Sequence, residues 1–215
     1  MDEIRAAIGF SLWVAAASTA LALTSGVYFA VRGSRVFWQL PLAMPHLTMA
    51  VVLLHLLAPS GLVARLVYAL GGLAAPGEFP DLVQDRWGAG IILVYWIKET
   101  PFFALLARTV LARLSGDYDA VAATLGASPG QRFRHVTAPL LLPTLGPAAV
   151  LVFGFVFASF DVAFLLGRTY PAMLSVVVQR YFVSDRETAL AISAGMGLFS
   201  AALAAVYVRW RRPAC

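Results

Sequence analysis

Two ionisable side chains stand side by side within an apolar stretch, Lys98 and Glu99 in GAGIILVYWIKETPFFALL. A third, Asp161, lies in FASFDVAFLLG. Charges in hydrocarbon are costly and normally face a bundle interior or a water-filled path, so Lys98, Glu99 and Asp161 are candidates for a translocation path. Adjacent residues on a helix point about 100° apart, so Lys98 and Glu99 cannot pair well with each other. Each needs another partner, and Asp161 is one candidate for Lys98. Structural pairing and contact with a moving solute both remain open for these residues. His46 and His55 are nine positions apart, on opposite faces of one helix, which favours single polar contacts over a shared metal site. His135 reads as a loop residue. Cys215 is the only cysteine, which excludes a disulfide framework and a cysteine-based metal centre. No Ser/His/Asp set or carboxylate pair has spacing suited to catalysis. No G-x-x-x-x-G-K-[ST] phosphate loop occurs either, and GASPG at Gly126–Gly130 is not one. The chain therefore reads as non-catalytic, with no cofactor or metal site of its own.

The elements that hold these residues follow from composition. Of 215 residues, 60% are apolar and 13% charged, against about 25% charged in ordinary soluble domains. The mean hydropathy is +0.81. So few charges cannot cover a soluble surface, and the apolar content excludes disorder. A hydrocarbon core roughly 30 Å thick takes about 20 apolar residues per helical crossing. Five segments qualify: 7–31, 36–57, 87–111, 140–166 and 188–208. The expected fold is all-α, a polytopic membrane bundle of about five transmembrane helices forming a single domain over 1–215. Pro41 and Pro45 fall inside the second segment, which a bilayer helix tolerates when neighbours satisfy the freed carbonyls. Pro101 should kink the third, either as a hinge or as static packing. Between the second and third segments, a short amphipathic helix and a loop are expected. Leu174, Val177, Val178 and Tyr181 predict an interfacial helix before the last span. Trp13, Trp38, Trp87 and Trp210 read as interfacial anchors. Gly154, Gly195 and Gly197 read as helix-packing sites.

The net charge of +5 matters less than its distribution, and gives no reason to invoke nucleic acid. One side of the membrane collects Arg32, Arg35, Arg108, Arg113, Arg132, Arg134, Arg209, Arg211 and Arg212 against Asp117 and Asp119 alone. The other side pairs six arginines with seven acids. The positive-inside rule then places the Ser115–Thr137 loop and the C-terminus in the cytoplasm and the N-terminus outside. Met1–Arg5 leads into an apolar run too long for a secretory signal.

The Ser115–Pro143 stretch, SGDYDAVAATLGASPGQRFRHVTAPLLLP, is the most informative. Asp117–Leu125 reads as a short helix with acids in its first turn. Gly126 ends it in left-handed geometry. Ser128, Pro129 and Gln131 supply the N-cap, first helical residue and capping-box partner of a second helix. Two helices across a fixed turn make a rigid knob, and Ala120, Val121, Ala122 and Ala123 permit close approach by another surface.

This stretch resembles the EAA loop of the membrane subunits of binding-protein-dependent ABC importers. In that family E-A-A is followed after three residues by Gly, and after nine more by Ile-x-Leu-Pro. Gly126 matches the glycine, and Val136-Thr137-Ala138-Pro139 matches the second element. The E-A-A positions read Ala120-Val121-Ala122, with Asp119 beside the missing glutamate. SLWVAAASTALALTSGVYFAV, LPLAMPHLTMAVVLLHL and FASFDVAFLLG also resemble family spans, the last in the branch that carries polyamines, thiamine, iron and inorganic anions. Many members have one more N-terminal span, so this chain reads as a compact version or as one whose start lies upstream. The resemblance implies a permease subunit in a bacterial inner membrane, forming half of a solute path. Asp119, Ala120, Val121, Ala122, Leu125, Gly126, Ala127, Ser128 and Pro139 would form its coupling loop. The implied partners are cytoplasmic ATPase subunits that carry ATP and Mg, a second permease subunit, an extracytoplasmic solute-binding protein and membrane lipid. The alternative from the residues alone is a free-standing transporter driven by an ion gradient through Lys98, Glu99 and Asp161.

Overall fold

The computed structural model describes residues 2–32, 40–75, 78–113 and 117–211. All regular structure among them is helical: α1 Asp2–Val31, α2 Leu40–Ala43, α3 His46–Leu57, α4 Leu62–Ala69, α5 Ala89–Arg113, α6 Asp117–Thr124 and α7 Pro129–Arg132. A π-helical turn over Phe133–Thr137 joins α7 to α8, Ala138–Ala158, and α9 Asp161–Leu166, α10 Leu174–Ser184 and α11 Arg186–Arg211 complete the chain. Five stretches are long and apolar enough to cross a membrane: Asp2–Val31, His46–Ala69, Ala89–Arg113, Pro129–Ala158 and Arg186–Arg209. The start of the expected second span (36–39), with Trp38, lies outside the described residues. So do Arg35, Ser115, Arg212 and Cys215.

The bundle is organised around the contact between α1 and α5. Ala15, Ser18, Ala22, Gly26 and Ala30 recur every three or four residues along α1, and all are buried. In hydrocarbon a smooth small-residue face lets helix backbones approach and gain dispersion contacts. Gly26 marks the crossing: a Cβ there would lie 2.6 Å from the Phe103 Cβ and 2.9 Å from the Thr100 carbonyl. The indole of Trp96 reaches back across this interface to the Ser25 hydroxyl at 2.8 Å. At one end of the pair, Trp13 donates to the Trp87 carbonyl at 3.0 Å and their rings meet edge to face.

Several expectations are corrected by this packing. The second span is interrupted at Met44–Pro45, and Pro101 lies within the single helix α5. The fourth begins at Pro129 and stops at Ala158, because Ser159 turns extended and Asp161 opens the separate helix α9. The second helix of the knob is thus continuous with the fourth span through the π turn, where the Ala138 amide bonds to the Phe133 carbonyl. The wider turn makes room ahead of Pro139, which has no amide to offer the carbonyl four residues back. The expected amphipathic helix is α4, and the expected interfacial helix is α10. The first turn of α10, however, is buried in the bundle, with the Leu174 amide on the Ser11 hydroxyl at 2.8 Å. Among the glycines, Gly195 and Gly197 face open space within this chain, and Gly154 has only ordinary contact with Ser200. Close approach occurs instead at Gly26 and at Gly146, where a methyl group would overlap the Tyr207 ring.

Candidate functional site: a clamped helix break and a coupling knob

The break in the second span begins with proline chemistry. In a continuous helix the Pro41 carbonyl would accept the amide of residue 45, but that residue is proline and has none. Pro45 itself is extended, at φ −57° and ψ 147°, and α3 restarts at His46. The Pro41 carbonyl keeps only a long bond from the Met44 amide, at 3.3 Å, and further donors are scarce in hydrocarbon. Lys98 supplies them. Its ammonium donates to the Pro41 carbonyl at 2.7 Å and to the Met44 carbonyl. Only 5% of Lys98 is exposed.

The adjacent residue grips the other side of the break. Glu99 Oε1 lies 2.9 Å from His46 Nε2, at the first residue of α3. The His46 ring is further held between Tyr95 and Phe155, with centroid distances of 5.5 and 5.0 Å. Consecutive residues of α5 thus hold both ends of the interruption, and because they point in different directions they reach different partners. Asp161 is not the partner of Lys98. It is exposed at the start of α9, since the fourth helix ends before reaching it. The two span histidines make single contacts as expected, His55 through the Val51 carbonyl at 2.8 Å. Among the described residues, no group of three or more potential metal ligands occurs.

Hydroxyl groups tie α5 and α10 to the turn at the end of α8. The Tyr95 and Ser159 hydroxyls are hydrogen-bonded, and Ser175 donates to the Ser159 carbonyl at 2.5 Å. Sequence reading missed Tyr95 and Ser159, because a tyrosine in an apolar run carries no signal of its partner. Next to α11, the Thr188 hydroxyl and amide both donate to Asp185, at 2.5 and 3.2 Å. These bonds, the hydroxyl's foremost, hold the Asp185 carboxyl below the usual carboxylate range.

The knob takes the expected geometry. Gly126 has φ +81°, and its amide bonds to the Ala123 carbonyl at 3.0 Å. The Ala127 amide bonds to the Ala122 carbonyl, also at 3.0 Å. This paired pattern is a Schellman cap, and it satisfies carbonyls that the end of α6 would leave open. Two residues on, the capping box is complete: Ser128 Oγ accepts the Gln131 amide at 3.4 Å, and Gln131 Oε1 accepts the Ser128 amide at 2.8 Å. Ala120, Val121, Gly126 and Ser128 are exposed, as is Pro139 in the first turn of α8, while Ala122 and Ala127 are half-buried. Asp119 belongs to α6, but its side chain is outside the described residues. Leu125 is 82% exposed, and with Tyr118 and Val121 it forms an apolar row at i, i+3 and i+7. Tyr118 was missed in the sequence, though this spacing could have revealed it.

A row of bare apolar side chains on a capped projection, attached to a bundle of helices long and apolar enough to cross a membrane with a polar clamp inside, is the architecture of a polytopic membrane protein. Residues 8–212 match the family described as the binding-protein-dependent transport system inner membrane component. The molybdenum transport system permease protein ModB of Mycobacterium tuberculosis is 30% identical, over 88% of this chain and 73% of its own length. ModB of Azotobacter vinelandii is 29% identical, over 75% and 69%. A shorter match, 46% identical over 26% of this chain and 24% of the relative, is to the putative 2-aminoethylphosphonate transport system permease protein PhnV of Salmonella typhimurium. Among solved structures, a bacterial alginate ABC transporter in complex with alginate pentasaccharide-bound periplasmic protein aligns with a TM-score of 0.74. That alignment has 20% identity and covers 98% of this chain and 77% of that one. The chain belongs to the binding-protein-dependent transport family and is a multi-pass permease subunit of an ABC importer.

Proposed function

We propose that this permease contributes half of a solute path and is driven by a separate cytoplasmic ATPase that docks on the α6–Ser128 knob. ATP and Mg would act on that partner, leaving this chain non-catalytic. A second permease subunit would complete the path, and an extracytoplasmic solute-binding protein would deliver the cargo. The observation that carries the reading is the Gly126 cap, which presents Tyr118, Val121 and Leu125 as one stiff apolar row suited to a cleft in another protein. Motion is transmitted only through an element that does not deform, and both caps of this turn are satisfied. The arginine distribution supports a cytoplasmic knob and an outer N-terminus. The cargo we assign is a small tetrahedral oxyanion, molybdate first, because two molybdenum permeases align over most of this chain. The gradient-driven alternative draws no support from the geometry, since Lys98, Glu99 and Asp161 do not converge.

The test is co-purification in mild detergent, followed by molybdate uptake in vesicles containing the recovered complex. An ATPase subunit should accompany the native chain and be lost from a Val121→Asp, Leu125→Asp variant that still inserts. Uptake should require ATP and the binding protein. A chain that purifies alone and moves molybdate without ATP would overturn the proposal.

A further inference from the structure

We infer that Lys98 and Glu99 are positioning residues for import, fastening the interrupted second span onto the helix that leads to the coupling knob. The inference rests on the permease reading above and goes beyond it. Three observations converge. Pro45 cannot satisfy the Pro41 carbonyl, which keeps a 3.3 Å bond from the Met44 amide, and the Lys98 ammonium adds a shorter bond there and takes the Met44 carbonyl as well. Glu99 then binds His46, the first residue past the break. Both side chains come from α5, whose end at Arg113 is three residues short of α6.

An interrupted helix has fewer backbone bonds across the gap, so its halves can change angle at low cost unless something external holds them. Here the external hold is two-sided, buried at Lys98 and half-buried at Glu99 and His46, and it comes from a single neighbouring helix. The Glu99 carboxylate also balances the Lys98 ammonium, which makes the pair tolerable away from water. The expected consequence is that α3 follows α5 as one body when the knob moves. Two of the three Lys98 donors are engaged with backbone at the break, so its contribution to transport is made through the interrupted span and not by holding cargo.

The experiment uses the assembled importer in vesicles, with spin labels at Val52→Cys on α3 and Leu105→Cys on α5 in a Cys215→Ser background. The native pair should give one narrow distance that is the same in nucleotide-free and ATP-trapped states. Lys98→Met should broaden that distance and make it differ between states. It should also lower molybdate taken up per ATP hydrolysed at least 10-fold, while ATP hydrolysis stays within about 2-fold. Lys98→Arg, which keeps a donor for both carbonyls, should restore most of the coupling. If Lys98→Met fails to insert, Glu99→Ala provides the same readouts by removing the grip on His46 together with the charge beside Lys98. A narrow, state-independent distance with full coupling in Lys98→Met or Glu99→Ala would overturn the inference. Failure of the native chain to recruit an ATPase would instead overturn the permease reading.

Discussion

Replacing Gly126 isolates backbone conformation from packing, because a Cβ at this position meets nothing within 4 Å while φ is +81°. The whole cost of a substitution is therefore the left-handed backbone. Alanine should lose about 1 kcal/mol and valine about 2–3 kcal/mol, since a β-branched residue is least tolerant of this region. Asparagine, which visits it readily, should lose little. At about 1.4 kcal/mol per factor of ten, valine shifts the balance between capped and frayed knob by roughly 30-fold or more, and alanine by about 5-fold. Uptake per ATP hydrolysed by the assembled importer should fall in the order Gly, Asn, Ala, Val, while the amount of inserted protein is unchanged. Gly130→Ala is the control. It too has open space, but it lies within α7 without positive φ, so uptake should stay at the native level. Native coupling in Gly126→Val, or equal losses at Gly126 and Gly130, would refute the link between the cap and force transmission.

Two further predictions address the bundle and the turn between α10 and α11. Gly26→Val should force α1 and α5 apart at Phe103 and Thr100, lowering stability by about 1–3 kcal/mol in a detergent melt, whereas Gly195→Ala should leave it unchanged. Thr188→Val should return the Asp185 carboxyl toward its ordinary value near pH 4. Because the folded value is depressed, the stabilisation exists above the unfolded value and is lost as pH falls through the folded one. The variant should therefore melt below the native protein at pH 7, and the two should converge under acid conditions.

The knob was legible in the sequence because its signals are local. A glycine ending one helix, with Ser-Pro-Gly-Gln starting the next, determines hydrogen bonds among residues a few positions apart. The spans were legible from apolar length alone. The partners of Lys98 and Glu99 were not, since they are set by which helix α5 packs against, over 50 residues away in sequence. Placing Asp161 within the fourth span failed for a different reason. Apolarity continues past Ala158, but the helix does not, and hydropathy does not register the extended turn at Ser159. The same limit hid Gly26 and Gly146, whose roles depend on a neighbour's surface.

The bond between Lys98 and the Pro41 carbonyl has an evolutionary consequence. With any other residue at position 45, an amide could serve Pro41, and a buried lysine would be a charge with less to hold. With Pro45 and no lysine, the Met44 carbonyl would lose its donor and Pro41 would keep only the long bond from the Met44 amide. Each residue is a liability without the other, so a lineage can gain or lose them only nearly together, or through an intermediate with a polar neutral side chain at position 98. Across the family, Pro45 and Lys98 should be found as a pair or both be absent, and the sequences that break this rule should show another donor facing the same gap.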